Sequence, residues 1–102
     1  LEFRRVLFRS IRSRFYIRFM VEDKAGAFGT IASILGRHAV SISAANQTGG
    51  SVGNQPVPVV VLTHEARTSD LEQALSEIER SGVIGAKPVK LRMLQALPGG
   101  LA

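Results

Sequence analysis

Asp23, followed by Lys24, Ala25 and Gly26, stands where an acid side chain, a turn and the start of a helix coincide. The first backbone N–H groups of a helix lack partners within it and lie at the positive end of its dipole, an arrangement suited to a carboxylate. A free amino acid carries a carboxylate and an ammonium on one carbon, so an acid beside such donors complements both halves of it. Asn46 and Gln47, at the end of a later strand, can add neutral hydrogen bonds from a neighbouring strand or from a second protomer. Asp23 reads equally as a helix cap worth about 1 kcal/mol. The residues alone leave the two readings open.

Other chemistry is poorly supported. There is no cysteine, and the two histidines, His38 and His64, are too few to build a metal centre, so no metal site is expected. His64 and Glu65 are adjacent in what reads as a strand and so point to opposite faces, which bars them from acting as an acid–base pair. His38 reads as a favourable partner for a helix C-terminus, and Glu72, Glu77 and Glu79 as a solvated helix face. No catalytic set emerges. The string Gly26-Ala27-Phe28-Gly29 opens a helix rather than joining two, and the glycines from Gly49 to Gly53 have no phosphate-loop lysine. The apolar run from Val57 to His64 contains no aromatic residue on which a base could stack, so no nucleic-acid partner is expected.

These residues need one scaffold. The 102 residues, 45% hydrophobic and 21% charged, fit a single globular domain, and the Cys-free composition gives no sign of secretion. A cytoplasmic protein without a membrane partner is expected, because the longest apolar run, Val57 to Leu62, is far short of a bilayer span. The net charge of +5 is partly an end effect: residues 1–10 (LEFRRVLFRS) hold three arginines against one glutamate. That decapeptide reads as a translated sequencing-library adapter, a non-native segment to be set aside. Residues 11–95 are then the domain and 96–102 a disordered tail.

Phe15, Ile17, Phe19 and Val21 alternate with Arg14, Tyr16, Arg18 and Met20, which predicts a strand with one face on the core. Phe28, Ile31, Leu35 and Ala39 then recur at helical spacing, with Thr30, Ser33 and Arg37 opposite. Val40, Ile42 and Ala44 against Ser41, Ser43 and Ala45 predict a second strand. A Gly-rich loop from Thr48 to Gln55 leads to a third over Val57 to His64, where Pro58 fits only near the start. Ser69 with Glu72 reads as a capping box, and Leu71, Ala74, Leu75 and Ile78 as the stripe of a second helix closed by Gly82. Val89 to Met93 completes a βαββαβ order: an α+β, ferredoxin-like four-stranded antiparallel sheet with two helices on one face. Tyr16, Arg18, Met20, Val60 and Leu62 are expected on the uncovered face, which, with two free edges, invites self-association.

The runs SRFYIRFMVEDKAGAFGTIASILGRHAVSISAANQ, VPVVVLTHEA and KPVKLRML, covering about residues 12 to 94, resemble the C-terminal ACT domains of homoserine dehydrogenases. The resemblance implies an amino-acid-binding regulatory module rather than a catalytic one. The implied effector is threonine, for feedback control of an NAD(P)H-dependent interconversion of aspartate 4-semialdehyde and homoserine. The implied partners are the ACT domain of a second subunit and upstream catalytic domains, and the NAD(P) cofactor belongs to those domains. By position, Asp23, Gly26, Ala27 and Phe28 match the effector turn, and Asn46 and Gln47 the side contributed by the second strand. Ala25 stands where the family usually has proline, which gives a less pre-organised turn. A purely structural dimerisation module without ligand is the alternative.

Overall fold

The computed structural model describes residues 11–22, 26–47 and 56–93. The adapter-like start, Asp23, Ala25, the Gly-rich stretch 48–55 and the tail 96–102 lie outside them.

Strand β1, Arg12–Val21, carries the alternation into the fold: Phe15, Ile17, Phe19 and Val21 are buried, while Tyr16 and Met20 are half-buried and Arg18 exposed. Helix α1, Ala27–Arg37, follows. Strand β2 spans Ile42–Gln47, β3 Val57–Thr63 and β4 Ala66–Arg67; helix α2 spans Thr68–Ser81, and β5 Val89–Met93. All pairings are antiparallel. β3 lies along β1 from Tyr16↔Leu62 to Val21↔Val57, β5 along β1 from Arg14↔Met93 to Arg18↔Val89, and β2 along β3. Both helices contribute to one core, in which Ile31, Ile34 and Leu35 of α1 and Leu71, Ala74 and Ile78 of α2 cluster with the odd-numbered side chains of β1 and with Val59 and Val61. Among the described residues the sheet is thus covered on one side only, as the period of two predicts.

Four local expectations are corrected. The core stripe of α1 is Ala27, Ile31, Ile34 and Leu35; Phe28, one residue round from that stripe, is 40% exposed, and Ala39 lies beyond the helix end at φ 64°. The alternation of the second strand breaks at a register shift between Ile42 and Ala44, so Ile42 packs on the core while Ala44 pairs with Leu62 on the open side. The Ser69–Glu72 capping box does not form, because the two residues of β4 pair with Arg12 and Ser13 and hold the chain extended to Arg67, the actual N-cap. Thr68 becomes the first helical residue. His64 and Glu65 lie in the bend between β3 and β4, not in a strand. The expected stop at Gly82 holds, at φ 82°.

The glutamates of α2 also depart from a plain solvated face. Glu77 receives a hydrogen bond from Arg37 at 2.6 Å through one oxygen and meets His38 Nε2 at 2.8 Å through the other. The His38 hydrogen bond and the Arg37 guanidinium hold the Glu77 carboxyl below its usual value of 4.5, against partial desolvation. Arg37 and His38 end α1, so this carboxylate ties the two helices together at the helix end far from Gly26. Glu72 lies 3.9 Å from Lys90 Nζ.

Candidate functional site

The site is built where β1 hands over to α1. Gly26 is the N-cap of α1 in a left-handed conformation, φ 85°, which favours glycine. Having no side chain, it cannot cap the helix itself, and its carbonyl accepts the first helical hydrogen bond from Thr30 N at 2.9 Å. The amides of Ala27, Phe28 and Gly29 belong to the first turn, whose donors point out of the helix toward its N-terminal end. No acidic residue lies in that turn.

A cavity of about 180 Å³ opens at this helix start, lined by Val21, Glu22, Gly26, Ala27, Phe28, Gly29, Gln47, Val57 and Val59. A second hollow of about 150 Å³ adjoins it, sharing Phe28, Gln47 and Val59 and adding Ala45 and Asn46. The structure therefore brings Gly26, Ala27, Phe28 and Gln47 together around one cavity and sets Asn46 at the next. Asp23 and Ala25 lie outside the described residues. The valines are a by-product of strand alternation: their core-facing side chains are buried and also border the cavity beside the start of α1. Phe28 is turned out of the core and forms a wall.

Glu22 was not singled out by sequence reasoning, nor were Val21, Val57, Val59 and Gly29. Glu22 sits one position past β1, its amide bonded to Val83 O at 3.2 Å, and it is one of the residues that line the cavity. Only its place beside Asp23 in the turn gave any signal for it. The valines read as core because their burial is real; what the sequence hides is that the same side chains also floor a cavity. Chemically the arrangement combines apolar side chains, the first turn of a helix, and two polar residues, Gln47 and Glu22. It suits a small molecule bearing both charges. Among the described residues no group of three or more His, Asp or Glu could hold a metal ion, and no helix is long and apolar enough to cross a membrane.

Residues 15–82 match the ACT domain family. The chain belongs to that family. The matched span runs from the core face of β1 to the Gly82 stop and so contains the cavity. The ACT domain is 31% identical over 83 residues to a homoserine dehydrogenase of Methylobacillus glycogenes, an alignment covering 81% of this chain and 20% of that protein. A homoserine dehydrogenase of Synechocystis sp. is 34% identical over 82 residues, 80% of this chain and 18% of that protein. The chain thus spans about a fifth of the length of these relatives. Among solved structures, a homoserine dehydrogenase from Thiobacillus denitrificans superposes with a TM-score of 0.72 at 24% identity, covering 83% of this chain and 18% of that one. The ACT domain from GTP pyrophosphokinase of Chlorobium tepidum gives 0.61 at 14% identity, over 79% of this chain and all of that one. These structures show that the fold is shared.

Proposed function

We propose that this ACT domain is the regulatory module of a homoserine dehydrogenase and binds a small amino acid, threonine above all, in the cavity at the start of α1. The observation that carries the reading is the coincidence of a cavity with both polar and apolar lining, the first turn of a helix and a polar strand end within a family that includes regions of homoserine dehydrogenases. A volume of about 180 Å³ is that of about six waters, the scale of one amino acid with a short side chain. The α-carboxylate is received by the amides of Ala27, Phe28 and Gly29 at the positive end of the helix dipole. The ammonium is received by the acid side chains of the turn, Glu22 and Asp23, and the side chain lies against Val57, Val59 and Phe28. Gln47 bonds whatever polar atom remains.

The same reading gives the module a second copy. β2 is an outer strand, and its six residues Ile-Ser-Ala-Ala-Asn-Gln include no charge and no proline, the usual guards of a free edge. Two such edges paired antiparallel about a two-fold axis place Asn46 and Gln47 at the junction, so that the neighbour completes the cavity. Coupling to the parent enzyme, which reduces aspartate 4-semialdehyde with NAD(P)H, then requires that the effector bind one arrangement of subunits better than another, typically by about 1–3 kcal/mol.

Calorimetry with threonine, isoleucine and methionine at millimolar concentrations tests the reading. Saturable heat that disappears in Asp23→Ala and is weakened in Gln47→Ala supports the sensor. Silence across the three amino acids supports a structural dimerisation module instead.

A further inference from the structure

β5 is built with its polarity reversed. In a two-layer fold the apolar side of an outer strand is expected on the helices and the charged side toward water. Here Lys90 and Arg92 lie on the helix side: Lys90 Nζ is 3.9 Å from Glu72, and Arg92 donates to Ser13 Oγ and to Thr68 Oγ1 at 2.9 Å, with its guanidinium 5.3 Å from the centre of the Phe15 ring. Those contacts fix the strand's register. Val89, Leu91 and Met93 are thereby turned to the open face, where they remain 43%, 56% and 38% exposed.

The pairings extend this apolar edge into continuous rows across the sheet. Leu91, Tyr16, Leu62 and Ala44 make one row; Val89, Arg18, Val60 and Asn46 make the next. The charged groups that face out of these rows and the adjoining one are Arg14 and Arg18. Arg14 is engaged, donating to Thr63 O at 3.3 Å and to Ser43 Oγ at 3.4 Å. Arg18, on the central strand, has no partner among the described residues. A surface of this kind marks an interaction site, and its charge excludes one occupant. Two copies stacked face to face would each bury an Arg18, and neither copy's rows offer a carboxylate to receive it, which leaves buried cations uncompensated. The occupant must bring an acid among apolar side chains. The relatives supply a source: about four-fifths of their length lies outside the region this chain matches.

We propose that the open sheet face docks onto the parent polypeptide outside this domain, at an apolar surface bearing an aspartate or glutamate that pairs with Arg18. This interface is separate from the β2 edge and from the cavity, and it does not require the effector reading to hold.

Hydroxyl-radical footprinting of the isolated 102-residue chain and of the full-length protein encoded by the source gene tests it. In the isolated chain Tyr16, Leu91 and Met93 are labelled freely, at a level independent of concentration. In the full-length protein, labelling of all three falls several-fold and stays low on dilution. Arg18→Glu restores it, and Leu91→Ser does so in part. Equal labelling in the two proteins overturns the proposal. So does protection in the isolated chain that grows with concentration, which would assign the face to a second copy, or a source gene that encodes no further domain. Threonine binding by the isolated chain, measured alongside, is unchanged by Leu91→Ser, so failure of this interface is distinguishable from failure of the effector site.

Discussion

Two side chains show how single residues link the layers. Arg92 reaches from β5 across the end of β1 to the first residue of α2, bonding Ser13 and Thr68 and lying over the Phe15 ring. Hydrogen bonds from a charged donor and a cation over an aromatic face together make Arg92→Ala cost about 1–2 kcal/mol. Arg92→Lys recovers only part, because the compact ammonium lacks the planar, pre-organised fork that meets both hydroxyls while lying over the ring; urea denaturation of the three proteins measures both. Glu77 acts between helices. Its pKa is depressed in the folded state, by His38 first and Arg37 after it. Its contribution is therefore complete above its usual value of 4.5 and is lost as pH falls through the lower folded value. Glu77→Gln removes that pH-dependent part, so the fall in urea midpoint below pH 5 is shallower than in the wild type.

At the scale of elements, the end of α1 shows what its sequence conceals. Val40 N bonds Leu35 O at 2.9 Å and Ala39 N bonds Gly36 O at 3.1 Å, the paired closure of a helix that normally has glycine at the left-handed position. Alanine holds that position at φ 64°. Ala39→Gly accordingly raises stability by about 0.5–1 kcal/mol despite the freer unfolded chain, read from the thermal midpoint. In the core of α2, Leu71 is fully buried, and Leu71→Ala costs about 2–5 kcal/mol in the same assay. Much of the element order was legible: the period of two in β1, the Leu71–Ile78 stripe and the Gly82 stop each follow from side-chain spacing. What was illegible is short or relational. β4 has two residues, too few to show a period, yet it displaces the N-cap from the apparent capping box. The bulge after Ile42 reverses a strand face without any change of composition.

At the scale of the whole molecule, two surfaces are proposed to take separate partners, and they differ in chemistry. Among the described residues, the β2 edge has no strand beyond it and carries small neutral side chains, and the open face offers Leu91, Val89 and Tyr16 around the unpartnered Arg18. Pairing through β2 is expected to make the isolated chain a dimer, and Ala44→Lys, which sets like charges near one another across the two-fold axis, is expected to make it a monomer. Sedimentation velocity distinguishes the two. The site itself was half legible. Gly26, Phe28 and Gln47 stood out as turn and strand-end residues and do meet at one cavity. The valine floor and Glu22 did not stand out, because a cavity beside the start of α1 depends on tertiary placement that no local pattern encodes.

Amide chemical-shift mapping during a threonine titration tests the central claim most directly. Binding at the α1 start moves the amide signals of Ala27, Phe28, Gly29 and Gln47, saturates with one affinity, and leaves those of Arg37, His38 and Gly85 in place. Signals that stay still throughout, or that shift only at the Glu77 end of the helices or around Gly85, contradict it.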